Sequence, residues 1–140
     1  MTESIPGGYE LLAATSPFNR QLGPNYGRTD EAGRRWRAMR VAESHCNVTG
    51  RVHGGLYMSL ADAIIGSAIA RASGTPVVTM RLTADFLVSA KVGDWLEGFG
   101  RVDGIKDGLG FGTAELFVSE RLVFTAKAVF KIIPRRGLGG

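Results

Sequence analysis

With 140 residues, 44% of them apolar and 21% charged, the chain has the size and balance of one globular domain, which excludes a two-domain protein and a disordered one. Its longest apolar stretch, residues 56–69, is interrupted by Asp62 and too short to span a bilayer; "MTESIPGGYELL" at the N-terminus has no basic region before an apolar one, so neither membrane insertion nor secretion is expected. Seventeen Lys and Arg against 13 Asp and Glu give a net charge of +4, which favours anionic partners, while the lone Cys46 closes no internal disulfide, fits a cytoplasmic location and makes no metal-ligand spacing with His45 and His53.

Residues 1–30 are punctuated by "PGG", "SP" and "GPNYG" and read as a short helix over residues 9–14 followed by loop, an N-terminal extension of a single domain covering residues 1–140. A first strand is expected over residues 34–43, between the turn-like "DEAG" and "SHCNVTG". Its arginine cluster, "GRRWRAMR", reads as a strand with solvated cations; no nucleic-acid-binding motif accompanies it, and no nucleic-acid partner is expected.

Residues 56–71 form the next element. Their apolar side chains cover nearly every face of a helix, the pattern of a buried one. "SGTP" at 73–76 ends it, with Gly74 suited to a left-handed cap and Pro76 unable to continue. Four strand-like runs follow, at 77–88, 94–105, 110–120 and 121–133, separated by the tight-turn candidates "AKVGD", "KDGLG" and Glu120-Arg121. "GLGFG" at 108–112 opens no helix and is read as part of a hairpin. Short connections between consecutive strands predict antiparallel hairpins. The expected fold is α+β, one curved antiparallel sheet wrapped around one long central helix, with sheet edges that invite a second copy.

Chemistry concentrates at 47–62. Gly54 and Gly55 open the helix, where backbone N–H groups are unpaired and the dipole favours negative charge, so a carbonyl becoming an oxyanion would be stabilised there. Asn47 and His53 flank this turn and can position a carbonyl or a water, or simply shape the turn. A carboxylate on an apolar helix is costly unless paired, so Asp62 is either a general base or nucleophile, or it occupies a partly exposed face with a structural hydrogen bond. Nine residues of helix separate His53 from Asp62, roughly 13 Å at 1.5 Å per residue. Both groups can act on one carbonyl only if they come from different subunits.

The pattern "N..G..HGG......AD....A", followed by "VVT" and "F", resembles the hotdog-fold acyl-CoA thioesterases of the PaaI-like and 4-hydroxybenzoyl-CoA thioesterase group, over residues 34–133. The resemblance implies hydrolysis of an acyl-CoA thioester to a free acid and CoA, with no cofactor beyond the CoA of the substrate. It implies Asp62 as base or nucleophile, Gly54 and Gly55 as N–H donors to the thioester carbonyl, and Asn47 as a holder of carbonyl or water. His53 would support the turn, and the Thr79 hydroxyl would orient the water near Asp62. Arg81 and Lys91 are candidates for the CoA phosphates. The family's site is shared across a homodimer, and such dimers commonly pair into homotetramers. The segment "LVSAKVGD" departs from the family by lacking its usual proline and carrying an extra residue. The alternative reading is a non-catalytic acyl-CoA or lipid-binding protein on the same fold.

Overall fold

The structure, a computed structural model, describes residues 4–14 and 16–134. Two tight turns organise its second half. At Asp107 and Gly108 both φ angles are positive, +54° and +76°, which matches the twist of the flanking strands and closes β5 (Trp95–Lys106) onto β6 (Leu109–Val118). Ser119 and Glu120, at +47° and +68°, likewise close β6 onto β7 (Arg121–Ile132). The last turn falls one residue earlier than the sequence indicates, and Arg121 already belongs to the strand.

The expected hairpin between β4 (Val77–Phe86) and β5 does not form. β4 pairs antiparallel with β7, at an edge of the sheet, while β5 pairs with β3 (Arg35–Arg40). The connecting segment crosses the end of the sheet because its backbone is held elsewhere. Leu87 and Val88 donate to the Val123 carbonyl at 2.9 and 3.1 Å, and the Val52 N–H donates to the Ala90 carbonyl at 2.9 Å. The buried Tyr57 hydroxyl donates to the Val88 carbonyl at 2.8 Å and accepts from the Ala90 N–H at 2.9 Å.

The N-terminal extension also departs from expectation. No helix forms over residues 9–14. Glu10–Leu11 is a two-residue strand, β1, paired with β2 (Tyr26–Thr29), and β2 pairs in turn with β3. Six residues are too few for an isolated helix, whereas the open edge of β2 offers backbone partners, including the Asn25 carbonyl for the Leu12 N–H at 2.8 Å. The helix comes later, at α1 (Pro17–Leu22): the Ser16 side chain caps the Asn19 N–H at 3.1 Å and Pro17 takes the first helical position. The full sheet runs β1-β2-β3-β5-β6-β7-β4.

α2 (Gly54–Ser73) lies on this sheet, capped at its end by Gly74 in the left-handed conformation (φ +74°). It buries Leu56, Leu60, Ile64, Ile65 and Ile69, each contributing on the order of 1.5–3 kcal/mol. All-round burial is not what the single chain shows. Met58, Ser59, Asp62, Ala63, Ser67 and Ala68 remain half-exposed, because the sheet covers one side of the helix and leaves two flanks open. Among the described residues no helix is long and apolar enough to cross a membrane.

Glycines on β5 and β6 let the helix approach. A Cβ on Gly100 would stand 2.7 Å from Ile64 Cγ2, one on Gly110 2.5 Å from Ile69 Cγ2, and one on Gly112 2.6 Å from Ile65 Cγ2. On Gly98 it would meet the Glu115 carbonyl oxygen at 2.5 Å, a backbone atom that cannot turn aside. Gly98→Ala is therefore expected to destabilise the protein by about 2 kcal/mol or more, read as a lowered urea midpoint. Gly104→Ala, with nothing within 4 Å of the new methyl, should leave the midpoint nearly unchanged.

Candidate active site

The turn before α2 is built by its own side chains. The Asn47 carbonyl accepts from the Gly50 N–H at 3.0 Å, and the Asn47 N–H donates to the Arg51 carbonyl at 2.8 Å. Asn47 Oδ1 accepts from the Thr49 N–H at 3.0 Å, the Thr49 hydroxyl at 2.6 Å and the Arg51 N–H at 3.4 Å. With the oxygen so occupied, the exposed Asn47 Nδ2 is left as a donor without an acceptor among the described residues. The isolated bridges Cys46 to Val52 and Arg51 to Lys91 close the turn and set the cation Lys91 beside it.

His53 is the N-cap of α2, and its Nδ1 accepts from the Gly55 N–H at 2.8 Å. That bond places the lone pair on Nδ1 and leaves Nε2–H as the imidazole's donor. It also uses the Gly55 N–H, so of the two glycines Gly54 retains an N–H with no acceptor among the described residues. Gly54 is half-buried under Phe86, whose ring edge would meet a Cβ there at 3.0 Å. Phe86 stacks on Tyr57 with centroids 6.2 Å apart, and burial pushes the Tyr57 hydroxyl pKa up.

Asp62 sits on an open flank of α2 and accepts the Thr79 hydroxyl on Oδ1 at 2.5 Å, leaving Oδ2 available. It lines a cleft of about 410 Å3 with Met58, Ser59 and Ala63 of the same helix, Leu82 of β4, and Ser16, Phe18 and Asn19 at α1. A bulge in β4 decides which side chains reach this cleft. Thr79 pairs with Phe130 but Arg81 pairs with Val129, so Met80 is the extra residue and the alternation slips by one. Thr79 faces α2 with Phe130, and Arg81 faces the other side of the sheet.

The site residues expected from the sequence thus fall into two groups. Asn47, His53, Gly54 and Gly55 gather at the start of α2 with Lys91 nearby; Asp62 and Thr79 gather eight residues further on, roughly 12 Å along the axis. Arg81 joins neither. Sequence reasoning did not anticipate Arg51 beside Lys91, nor α1 as a wall of the Asp62 cleft. The Ser16-Pro17 pair, an N-cap followed by a first-turn proline, was the available signal for α1. His45 is buried and structural: its Nδ1 accepts from the Ala42 N–H at 2.9 Å and its Nε2–H donates to the Leu22 carbonyl, which fastens the end of α1 to the segment before α2.

The thioesterase superfamily model matches residues 49–125. A Pseudomonas aeruginosa protein, described only provisionally as an esterase, is 41% identical over 131 residues, 92% of this chain and 98% of that protein. Zebrafish thioesterase superfamily member 2 superposes with a TM-score of 0.76 at 26% identity, over 85% of this chain and 89% of the other. The Escherichia coli PaaI protein of the phenylacetic acid degradation operon gives 0.75 at 24% identity, over 86% of both chains, an agreement of fold. The antiparallel sheet around one long helix is the hotdog fold of these proteins.

The cap at His53 has a consequence independent of any reaction. His53→Ala is expected to lower stability by about 1 kcal/mol through loss of the Gly55 hydrogen bond, and His53→Asn to recover most of it, both read by chemical denaturation.

Proposed function

The chain belongs to the thioesterase superfamily, and on that footing we propose that it hydrolyses an acyl-CoA thioester to a free acid and CoA, with a site shared between two subunits. The observation that carries the reading is Asp62 itself, a carboxylate on the open flank of an apolar helix, beside a cleft, with one oxygen steadied by Thr79 and the other free. As a base, Oδ2 takes a proton from a water whose oxygen bonds to the thioester carbon; as a nucleophile, Oδ2 bonds to that carbon itself, and water then opens the resulting anhydride to release the acid. The carbonyl oxygen becomes an oxyanion, held by the Gly54 N–H at the positive end of α2 and by Asn47 Nδ2. The C–S bond breaks and CoA leaves, its sulfur taking the proton that Asp62 removed from water or, on the anhydride route, the one released when water opens the anhydride. His53 keeps the turn in shape, and Lys91 with Arg51 offers charge to the phosphates of CoA.

The separation of the two groups along α2 supports a homodimer, in which one subunit's Asp62 faces the other's Gly54 and Asn47. β4 supports it too: this ten-residue strand lies at an edge of the sheet with Val78 and Met80 more than half exposed, whereas the edge at β1 is only two residues long. Further pairing into a homotetramer follows the same family resemblance, and a cytoplasmic location follows from the lone Cys46.

Release of free thiol from a panel of aryl- and alkyl-CoA esters tests the activity. Asp62→Asn is expected to reduce turnover by at least about 100-fold while retaining the folded spectrum, and Thr79→Val by about 10-fold, the worth of one well-placed hydrogen bond. Wild-type rates in Asp62→Asn would reject the mechanism; tight ligand binding with no thiol release in the wild type would favour the non-catalytic reading instead.

Subunit sharing has its own measurement. Asp62→Asn and Asn47→Ala proteins, each weak alone, are unfolded together in equal amounts and refolded. Half of the random dimers then carry one intact site, so roughly a quarter of wild-type activity should return. No recovery in a mixture that has refolded to dimers would reject the shared site.

A further inference from the structure

The flank of α2 opposite Asp62 borders a second cleft, about 830 Å3 in volume, between β1–β3 and the C-terminal half of the helix. Along β3 the side chains alternate. Met39 and Val41 are in the core against α2, so Arg35 and Arg37 project to that same side, towards the helix. Arg71, in the last turn of α2, reaches in from the opposite wall beside Ser67 and Ala68.

Among the described residues none of these three cations is ion-paired with a carboxylate. The Arg37 Nε donates to Asn25 Oδ1 at 2.8 Å, which fixes the side chain and leaves its two terminal nitrogens for something else. Neither Arg35 nor Arg71 has a carboxylate partner among the described residues. Burial lowers the pKa of Arg37, and burial followed by the neighbouring charge of Arg35 lowers that of Arg71. Among the described residues Glu10 is the one carboxylate lining the cleft, against five arginines. Of the other two, Arg34 is paired with Asp30 at 3.1 Å and Arg28 stacks over Tyr9 and Trp36.

Arg37 is half-buried, and Arg35 sets like charge opposite Arg71 across the cleft, an arrangement that an anion between them would relieve. Planar forks of N–H donors fit phosphate oxygens two at a time, and three such forks in a cleft of this volume suit more charge than one carboxylate carries. We propose that this cleft is a binding site for a phosphate monoester or diphosphate, held by Arg35, Arg37 and Arg71, on the side of the helix away from the thioester chemistry. The site is independent of the proposed hydrolysis, since none of its cations belongs to the Asp62 cleft or to the turn at Asn47.

Titration calorimetry on the assembled protein tests it with two probes, inorganic pyrophosphate for a free diphosphate and ADP for a nucleotide. At least one should bind saturably, one per chain. Arg35→Gln and Arg71→Gln, both at exposed positions and so expected to fold, should each weaken binding by about tenfold or more. Arg121→Gln, a surface cation remote from the cleft, should leave it unchanged. The proposal is overturned if neither probe saturates, or if Arg121→Gln weakens binding as much as the cleft variants, which is the behaviour of a diffuse ion atmosphere. A rise in KM for acyl-CoA in Arg35→Gln would overturn it differently, by showing that the cleft holds the substrate's own phosphates. Because the binding measurement needs no turnover, an inactive protein would leave it decisive.

Discussion

The seating of α2 against β5 and β6 is the constraint from which the rest follows. Gly100, Gly110 and Gly112 present no Cβ where Ile64, Ile69 and Ile65 press onto the sheet, so the helix sinks between strands instead of riding on side chains. Interiors are packed closely enough that a single added methyl would be felt. This contact fixes the rotation of the helix about its own axis. Once that is set, Asp62 must emerge on one flank and Arg71 on the other, and each flank acquires a cleft of its own.

A second constraint, smaller in extent, acts on β4. One extra residue at Met80 shifts the alternation, so Thr79 faces the helix while Arg81 faces away. Without the bulge the two would share a face, and a cation would accompany the hydroxyl into the Asp62 cleft. The bulge therefore decides the electrostatic surroundings of the carboxylate. Thr79 donates a neutral hydrogen bond, which orients Asp62 without placing a charge beside it.

How much of this was legible in the sequence depended on whether the signal was local. The helix, its Gly74 stop and the Asp107-Gly108 turn rest on spacing and on φ preferences that travel with the residue. The hotdog architecture, with its buried helix and antiparallel strands, was readable from their order. The pairing of β4 with β7 was not, because "AKVGD" looks like any hairpin turn; what carries the segment across the sheet is the buried Tyr57 hydroxyl, contributed from 31 and 33 residues upstream of the groups it binds. Tyr9–Ala14 read as a helix because backbone pairing with Asn25, Tyr26 and Gly27 leaves no mark on a short segment's own composition. In the candidate site, the grouping of Asn47, His53 and Gly54 was legible. The consumption of the Gly55 N–H by His53 was not, since a histidine cap is indistinguishable in sequence from a histidine that packs.

The arginines of "GRRWRAMR" show the same limit from the other side. Read as a run they are a solvated strand, and for Arg34 that is close to what the structure gives. Alternation then splits the run: Trp36 stays with Phe99 and Phe117, while Arg35 and Arg37 turn to the helix. Arg71 alone would need no ligand to explain it, because a cation in the last turn complements the negative end of the helix dipole. Arg35 and Arg37 have no such reason to be there. They sit on a strand, and Arg35 sets like charge opposite Arg71. Three guanidinium groups converging on one space, with one carboxylate at its wall, are organised around an anion that the described residues do not provide.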